Sequence, residues 1–176
     1  MVSVLRSWKG HTTFFDAIRK LRDSGMALQP VVVGGGAALV HFTAMAQRQG
    51  VEGLVHFTGH REDVPDVLRA LDILCIPSLS HEGIPQIGLQ ALASGTPVVG
   101  SDCGGIPEII QHGRTGRIFP AGDPDAMAAA IRDTLAQPQE TQRMVQAGRA
   151  MVEQNHSLDH LLDRLEGLYE RYLGKA

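Results

Sequence analysis

Glu82 stands beside Gly83 and three residues before Pro85, in the run 78–108, SLSHEGIPQIGLQALASGTPVVGSDCGGIPE. Proline is tolerated in the first turn of a helix, where its missing amide would have no intrahelical partner. A helix is therefore expected to open near Pro85, with Glu82 hanging over its N-terminus. Uncapped amides and the positive end of the helix dipole favour phosphate or carboxylate at such a place. Glu82 then either forms a charge–dipole pair worth ~0.3–1 kcal/mol or accepts hydrogen bonds from the hydroxyls of a bound sugar. Gln86 and Gln90, four apart, share one face of that helix, while Ile87, Leu89, Ala91 and Leu92 can turn toward a sheet.

Three further groups join this candidate site. Arg6 and Lys9 lie in a basic loop, RSWKGH at 6–11, and supply either a solvated surface or the positive charge that stabilises a departing diphosphate. Gly34-Gly35-Gly36 follows an apolar run and serves either a tight strand-to-helix turn or a ligand contact. A dinucleotide fingerprint would need its third glycine at position 39, which is Leu39, and no Gly-Lys-Ser/Thr follows to make a P-loop. His11, His60, His81 and His112 fall in loops, where each taken alone is ordinarily a surface histidine.

The elements that would position these groups alternate along the chain. Apolar runs at 2–5, 30–33, 54–58, 73–76, 97–99 and 116–119 read as strands. Between them lie helical patterns: one capped by Thr12 or Thr13, one from the glycine triplet to Gly50, one over 65–71, the one after Pro85, and one opening near Pro107. Gly122-Asp123-Pro124-Asp125 signals the start of another through Leu135, and 139–154 and 158–173 are two more amphipathic helices. Near-continuous apolar strands alternating with helices argue for a parallel sheet covered on both faces. Right-handed crossovers give an α/β, doubly wound, Rossmann-like sheet of about six strands. Ligands bind such a fold outside the C-terminal ends of the strands, where the glycine loops gather. The turn 102–105, DCGG, is expected to bring its amides close to a ligand there.

The totals bound the function. At 176 residues, 43% hydrophobic and 20% charged, the chain fits one globular domain, 1–176. A formal net charge of -3 argues against a general polyanion-binding surface and hence against nucleic acid. Cys75 and Cys103 show no metal-ligand spacing and suit a reducing cytoplasm. The strand at 2–5 begins without a preceding element to cover its edge, which reads as a fragment boundary.

The run 78–108 resembles the donor-binding half of the glycosyl transferases group 1 family, retaining nucleotide-sugar enzymes of the two-domain glycosyltransferase-B fold. LRSWKGH at 5–11, VVVGGG at 31–36, FTGHREDVP at 57–65 and RTGRIFPAGDPDAMAAAI at 114–131 resemble it in the same order, so that the likeness spans nearly the whole chain. The resemblance implies transfer of a sugar from a nucleoside diphosphate to an acceptor hydroxyl with retention of configuration, with no metal or other cofactor required. Lys9 would hold the diphosphate. Arg6 would share that task, although the family's arginine usually lies further before its lysine. Gly59, His60 and Arg61 would meet the base, and Glu82, Gly83, Ile84 and Pro85 the sugar and phosphates, with Gly34 and Gly35 also at the donor. Where the family carries a second glutamate that binds ribose hydroxyls, this chain has Gln90, which keeps hydrogen bonding without the charge.

The same resemblance implies that the acceptor site, for a saccharide or lipid-linked acceptor, belongs to an N-terminal domain outside this chain. This domain alone is then expected to bind donor without transferring it. The expected setting is bacterial envelope polysaccharide or lipopolysaccharide synthesis, in the cytoplasm, with room for peripheral attachment of the full-length protein at the inner face of the membrane. A nucleotide-sugar 2-epimerase and a non-catalytic nucleotide-sugar-binding domain are the alternatives; a dinucleotide oxidoreductase is least favoured.

Overall fold

The computed structural model describes residues 1–174. Five strands and eight α-helices follow a short 3-10 turn, Ser7–Lys9. They are α1 (His11–Asp23), β1 (Val31–Val33), α2 (Leu39–Arg48), β2 (His56–Gly59), α3 (Val64–Ala70), β3 (Leu74–Ile76), α4 (Gln86–Ser94), β4 (Val98–Ser101), α5 (Ile106–Ile109), β5 (Arg117–Phe119), α6 (Pro124–Ala136), α7 (Pro138–Asn155) and α8 (Leu158–Leu173). All strand pairs are parallel, β1 with β2 and β3-β4-β5 as a second sheet.

The sixth strand expected at 2–5 is reduced to one parallel bridge between Val2 and Val33. The Ser3 amide donates to the Val33 carbonyl and the Val33 amide to that of Met1, both at 2.9 Å. The chain then leaves the ladder, with Val4 exposed and Leu5 buried in the core. Pairing on one side over so short a stretch makes a bridge, not a strand.

Alternation along the second sheet shows why helices cover both faces. Cys75, Val99 and Phe119 point into a cluster with Phe14, Phe15, Ile18, Met127 and Ile131 of α1 and α6. Their neighbours Leu74, Ile76, Val98 and Ile118 point the other way, among Leu68, Ala91, Leu92, Ile106 and Ile109. Successive side chains of a strand face opposite sides, so a sheet with apolar side chains on both faces must be covered twice. Each fully buried Leu, Ile or Phe contributes about 1.5–3 kcal/mol. Both cysteines are free and buried, and burial pushes the Cys75 thiol up to about 11, which keeps it protonated and unreactive.

Local signals set several boundaries. Asp123 caps α6, its Oδ1 accepting from the Asp125 and Ala126 amides at 2.9 Å, with Pro124 in the first turn. Ser157 caps α8 through the His160 amide at 3.2 Å. The threonine cap expected for α1 is absent: the helix starts at His11 behind Gly10, whose φ is 74°. Thr13 is buried, and Thr12 turns its hydroxyl to Met45 Sδ at 3.3 Å. Helix α8 buries none of its residues, and Leu158, Leu161, Leu162, Leu165, Leu168, Tyr169, Tyr172 and Leu173 remain exposed. No described helix is long and apolar enough to cross a membrane.

Candidate donor cleft

Lys9 reaches the end of β3 because two backbones lie against each other. Gly10 adopts a left-handed φ, and a Cβ there would stand 1.7 Å from the Pro77 carbonyl oxygen, so only glycine fits. The Leu79 amide donates to the Trp8 carbonyl at 2.7 Å, fastening the same two loops. Lys9 Nζ then donates to Glu82 Oε1 at 2.9 Å and Oε2 at 2.7 Å. The side chains are 24% and 8% exposed, a setting in which a charge-assisted pair is stronger than on an open surface. The Ser78 hydroxyl also donates to Glu82 Oε2.

The loop carrying Glu82 is held from behind. The Gly105 amide donates to the Glu82 carbonyl at 3.0 Å. A Cβ on Gly104 would lie 1.9 Å from that carbonyl oxygen, and one on Gly105 would lie 2.8 Å from the Gly83 carbonyl oxygen. The 102–105 turn, expected to approach a ligand, instead approaches the Glu82-Gly83 backbone.

Lys9 and Glu82 line a cleft of about 400 Å³ together with Val2, Ser3, Val4, Val33, Gly34, Gly35, His60, Arg61, Val64, Pro85, Gln86, Ile87 and Gln90. Its floor is built by the glycine turn: the Gly34 amide donates to the Gly59 carbonyl at 2.9 Å, and a Cβ on Gly35 would press on His60 at 3.2 Å. Gln86 and Gln90 share the cleft-facing side of α4, as their spacing predicts. Pro85 is the residue before the helix, its carbonyl accepting from the Gly88 and Leu89 amides. The Gln86 and Ile87 amides have no hydrogen-bond partner among the described residues and are thus the open donors of a helix N-terminus. At the opposite wall Arg61 and Asp63 form an exposed ion pair; the shared hydrogen bond raises the guanidinium above its ordinary value and holds the Asp63 carboxyl below the usual carboxylate range.

Other expected groups sit elsewhere. Gly83 and Ile84 stay outside the cleft lining, with Ile84 exposed. The Arg6 guanidinium lies over the Trp8 ring, 5.6 Å from its centre, and does not line the cleft. His81, at φ 55°, meets the edge of Trp8 at 6.3 Å. His112 is tied to Ile118 of β5 through Nδ1, 3.1 Å from its amide. Contrary to the expectation of a surface residue, His11 is 1% exposed, stacked 4.1 Å from Phe42. Burial pushes its pKa down to about 4, with the N-terminal ammonium and Lys9 acting the same way; the Arg6 backbone opposes the shift, yet neither ring nitrogen completes a hydrogen bond. Ser78, the first residue of the run 78–108, has no role assigned to it by the sequence. Its signal was its place directly after β3, where doubly wound folds put functional groups.

A larger hollow of about 490 Å³ lies at the opposite ends of β1 and β3, among Phe14, Ile18, Leu28, Pro30, Leu71 and Ile73. No Lys, Arg or His side chain lines it, so it offers an anionic ligand no side-chain cation. Among the described residues no group of three or more His, Cys, Asp or Glu side chains is placed to hold a metal ion.

Known proteins resemble this chain in sequence and in fold. An amylovoran biosynthesis glycosyltransferase of Erwinia amylovora is 30% identical over 97% of this chain, which spans 44% of that relative. A GDP-mannose-dependent phosphatidylinositol monomannoside mannosyltransferase of Mycolicibacterium smegmatis is 34% identical over 80% of the chain and 39% of its own length. The crystal structure of Anabaena HepE in complex with UDP-glucose superposes with a TM-score of 0.83 at 25% identity, over 95% of this chain and 47% of that one. The chain thus spans less than half the length of each of these three proteins. The profile of the glycosyl transferases group 1 family matches residues 1–137; with the parallel α/β architecture and the cleft at its strand ends, the chain belongs to that family and forms half of a glycosyltransferase-B fold.

Proposed function

We propose that this chain is the donor-binding domain of a retaining glycosyltransferase that moves a sugar from a nucleoside diphosphate to an acceptor hydroxyl. The observation that carries the reading is the meeting of Lys9 and Glu82 on the wall of the cleft, beside the open amides of α4. A departing diphosphate needs positive charge to stabilise it, which the Gln86 and Ile87 amides supply in place and Lys9 supplies on turning from Glu82. Glu82 accepts hydrogen bonds from sugar hydroxyls. Gly34, Gly35, His60 and Arg61 flank the nucleoside, and Gln90 meets the ribose through its amide. Charge neutralisation by these groups makes a metal ion dispensable.

The acceptor, a saccharide or lipid-linked molecule, is bound by an N-terminal domain that closes over the cleft and excludes water. The setting is polysaccharide or lipopolysaccharide synthesis in the bacterial cytoplasm, at the inner face of the membrane. The amylovoran enzyme supports a polysaccharide product, and HepE with UDP-glucose supports a nucleotide-sugar donor. Isothermal titration of the chain with UDP, GDP and ADP and their glucose and mannose conjugates tests the reading. One nucleoside diphosphate is expected to bind, at least tenfold more weakly in Lys9→Ala. Acceptor-dependent turnover by the chain alone would refute the division of labour between two domains.

A further inference from the structure

Ser78 is 1% exposed and makes two side-chain-mediated contacts that link the centre of the second sheet to the cleft. Its carbonyl accepts from the Ser101 hydroxyl at 2.7 Å, and its own hydroxyl donates to Glu82 Oε2. Ser101 is the last residue of β4 and fully buried. The ends of two paired strands therefore fix where the Ser78 hydroxyl points.

In the structure both Glu82 oxygens are occupied by Lys9. A diphosphate in the cleft competes for that ammonium, since both anions need the same cation. Once Lys9 turns to the phosphates, Glu82 becomes a largely buried carboxylate without its counter-charge, which is costly unless other donors remain. The Ser78 hydroxyl is the one other side-chain donor to Glu82 among the described residues. It holds Oε2 and leaves Oε1, on a residue that lines the cleft, without a side-chain donor once Lys9 has moved.

We propose that Ser78 is the positioning residue for Glu82: it keeps the carboxylate aimed after Lys9 has moved to the diphosphate, so that Oε1 takes a hydroxyl of the donor sugar. The inference rests on the nucleotide-sugar reading of the cleft and adds a residue to it. The serine touches the sugar only through Glu82. Its removal therefore weakens recognition of the sugar and spares recognition of the nucleotide.

The test is calorimetric titration of the wild-type chain, Ser78→Ala, Ser78→Cys and Glu82→Ala with UDP, GDP and ADP and their glucose and mannose conjugates. Ser78→Ala is expected to weaken the preferred conjugate about tenfold and the bare diphosphate by no more than about twofold. Ser78→Cys keeps the side-chain volume with a much weaker donor and is expected to do the same, which decides the matter if the alanine variant fails to fold. Adding Ser78→Ala to Glu82→Ala is expected to change nothing further. Unchanged conjugate affinity in the serine variants, alongside a loss in Glu82→Ala, overturns the positioning role and leaves the nucleotide-sugar reading standing. If the wild-type chain shows no preference for any conjugate, or Glu82→Ala has no effect on it, the reading fails and the inference with it.

Discussion

Lys9 and Glu82, 73 residues apart in sequence, are joined by two hydrogen bonds of 2.9 and 2.7 Å. The pair makes Glu82 an internal competitor for the cation that a diphosphate would use. Glu82→Gln removes the negative charge and frees Lys9. Binding of the bare nucleoside diphosphate is expected to tighten several-fold while the sugar conjugate loses its advantage; parallel changes in both ligands would contradict the competition.

Two glycines with similar backbones separate conformation from close approach. Gly104 (φ 54°) faces the Glu82 carbonyl, where a Cβ would stand at 1.9 Å, whereas Gly113 (φ 73°) has nothing within 4 Å. Gly113→Ala is expected to cost only the left-handed backbone penalty, about 1–2 kcal/mol. Gly104→Ala adds the displacement of the Glu82 loop, so its melting temperature falls further and conjugate binding is lost. Equal melting temperatures for the two variants would rule out the close contact.

His11 makes stability depend on pH. Its folded-state pKa is lowered to about 4 from 6.5, so between those values the unfolded chain binds a proton that the native chain refuses. The stabilisation from keeping it neutral is complete above 6.5 and declines as pH falls toward 4, by about 3 kcal/mol in all. Denaturant titrations of His11→Leu are expected to show a shallower acid decline than wild type. An unchanged slope would place the titration elsewhere.

Helix α8 presents Leu158, Leu161, Leu165, Leu168 and Tyr172 at alternating spacings of three and four, all exposed, a seam expected to self-associate in water. Leu165→Glu with Leu168→Glu is expected to lower the sedimentation-average mass at tens of micromolar. Stability should change by no more than about 0.5 kcal/mol, since the helix buries none of its residues. A large loss of stability would mean that the stripe is already covered by the chain itself.

Local pattern carries part of this architecture. The α8 boundaries, the Asp123 cap and the alternation of β3 to β5 follow from periodicity and capping chemistry, which act within a few residues. The missed features depend on distant partners. Gly10 caps α1 in place of a threonine because of Pro77, and Gly104 is required by Glu82. His11 looked like a loop histidine until Phe42 and Phe15 closed on it. Val2 reads as the start of a strand by composition, yet strand length is decided by how many neighbours remain alongside. The resemblance named Lys9, Glu82 and Gln90 for the cleft; Ser78 became visible only once β3 and β4 were side by side.

The two ladders, β1-β2 and β3-β4-β5, share no backbone hydrogen bonds among the described strands, and the cleft takes one wall from each: Gly34, Gly35 and His60 on one side, Glu82, Gln86 and Gln90 on the other. An occupant of the cleft is therefore a clasp across a seam, adding stiffness where side-chain packing and not backbone pairing joins the two ladders. Slowed amide exchange on binding would then extend from the contacted loops into both ladders.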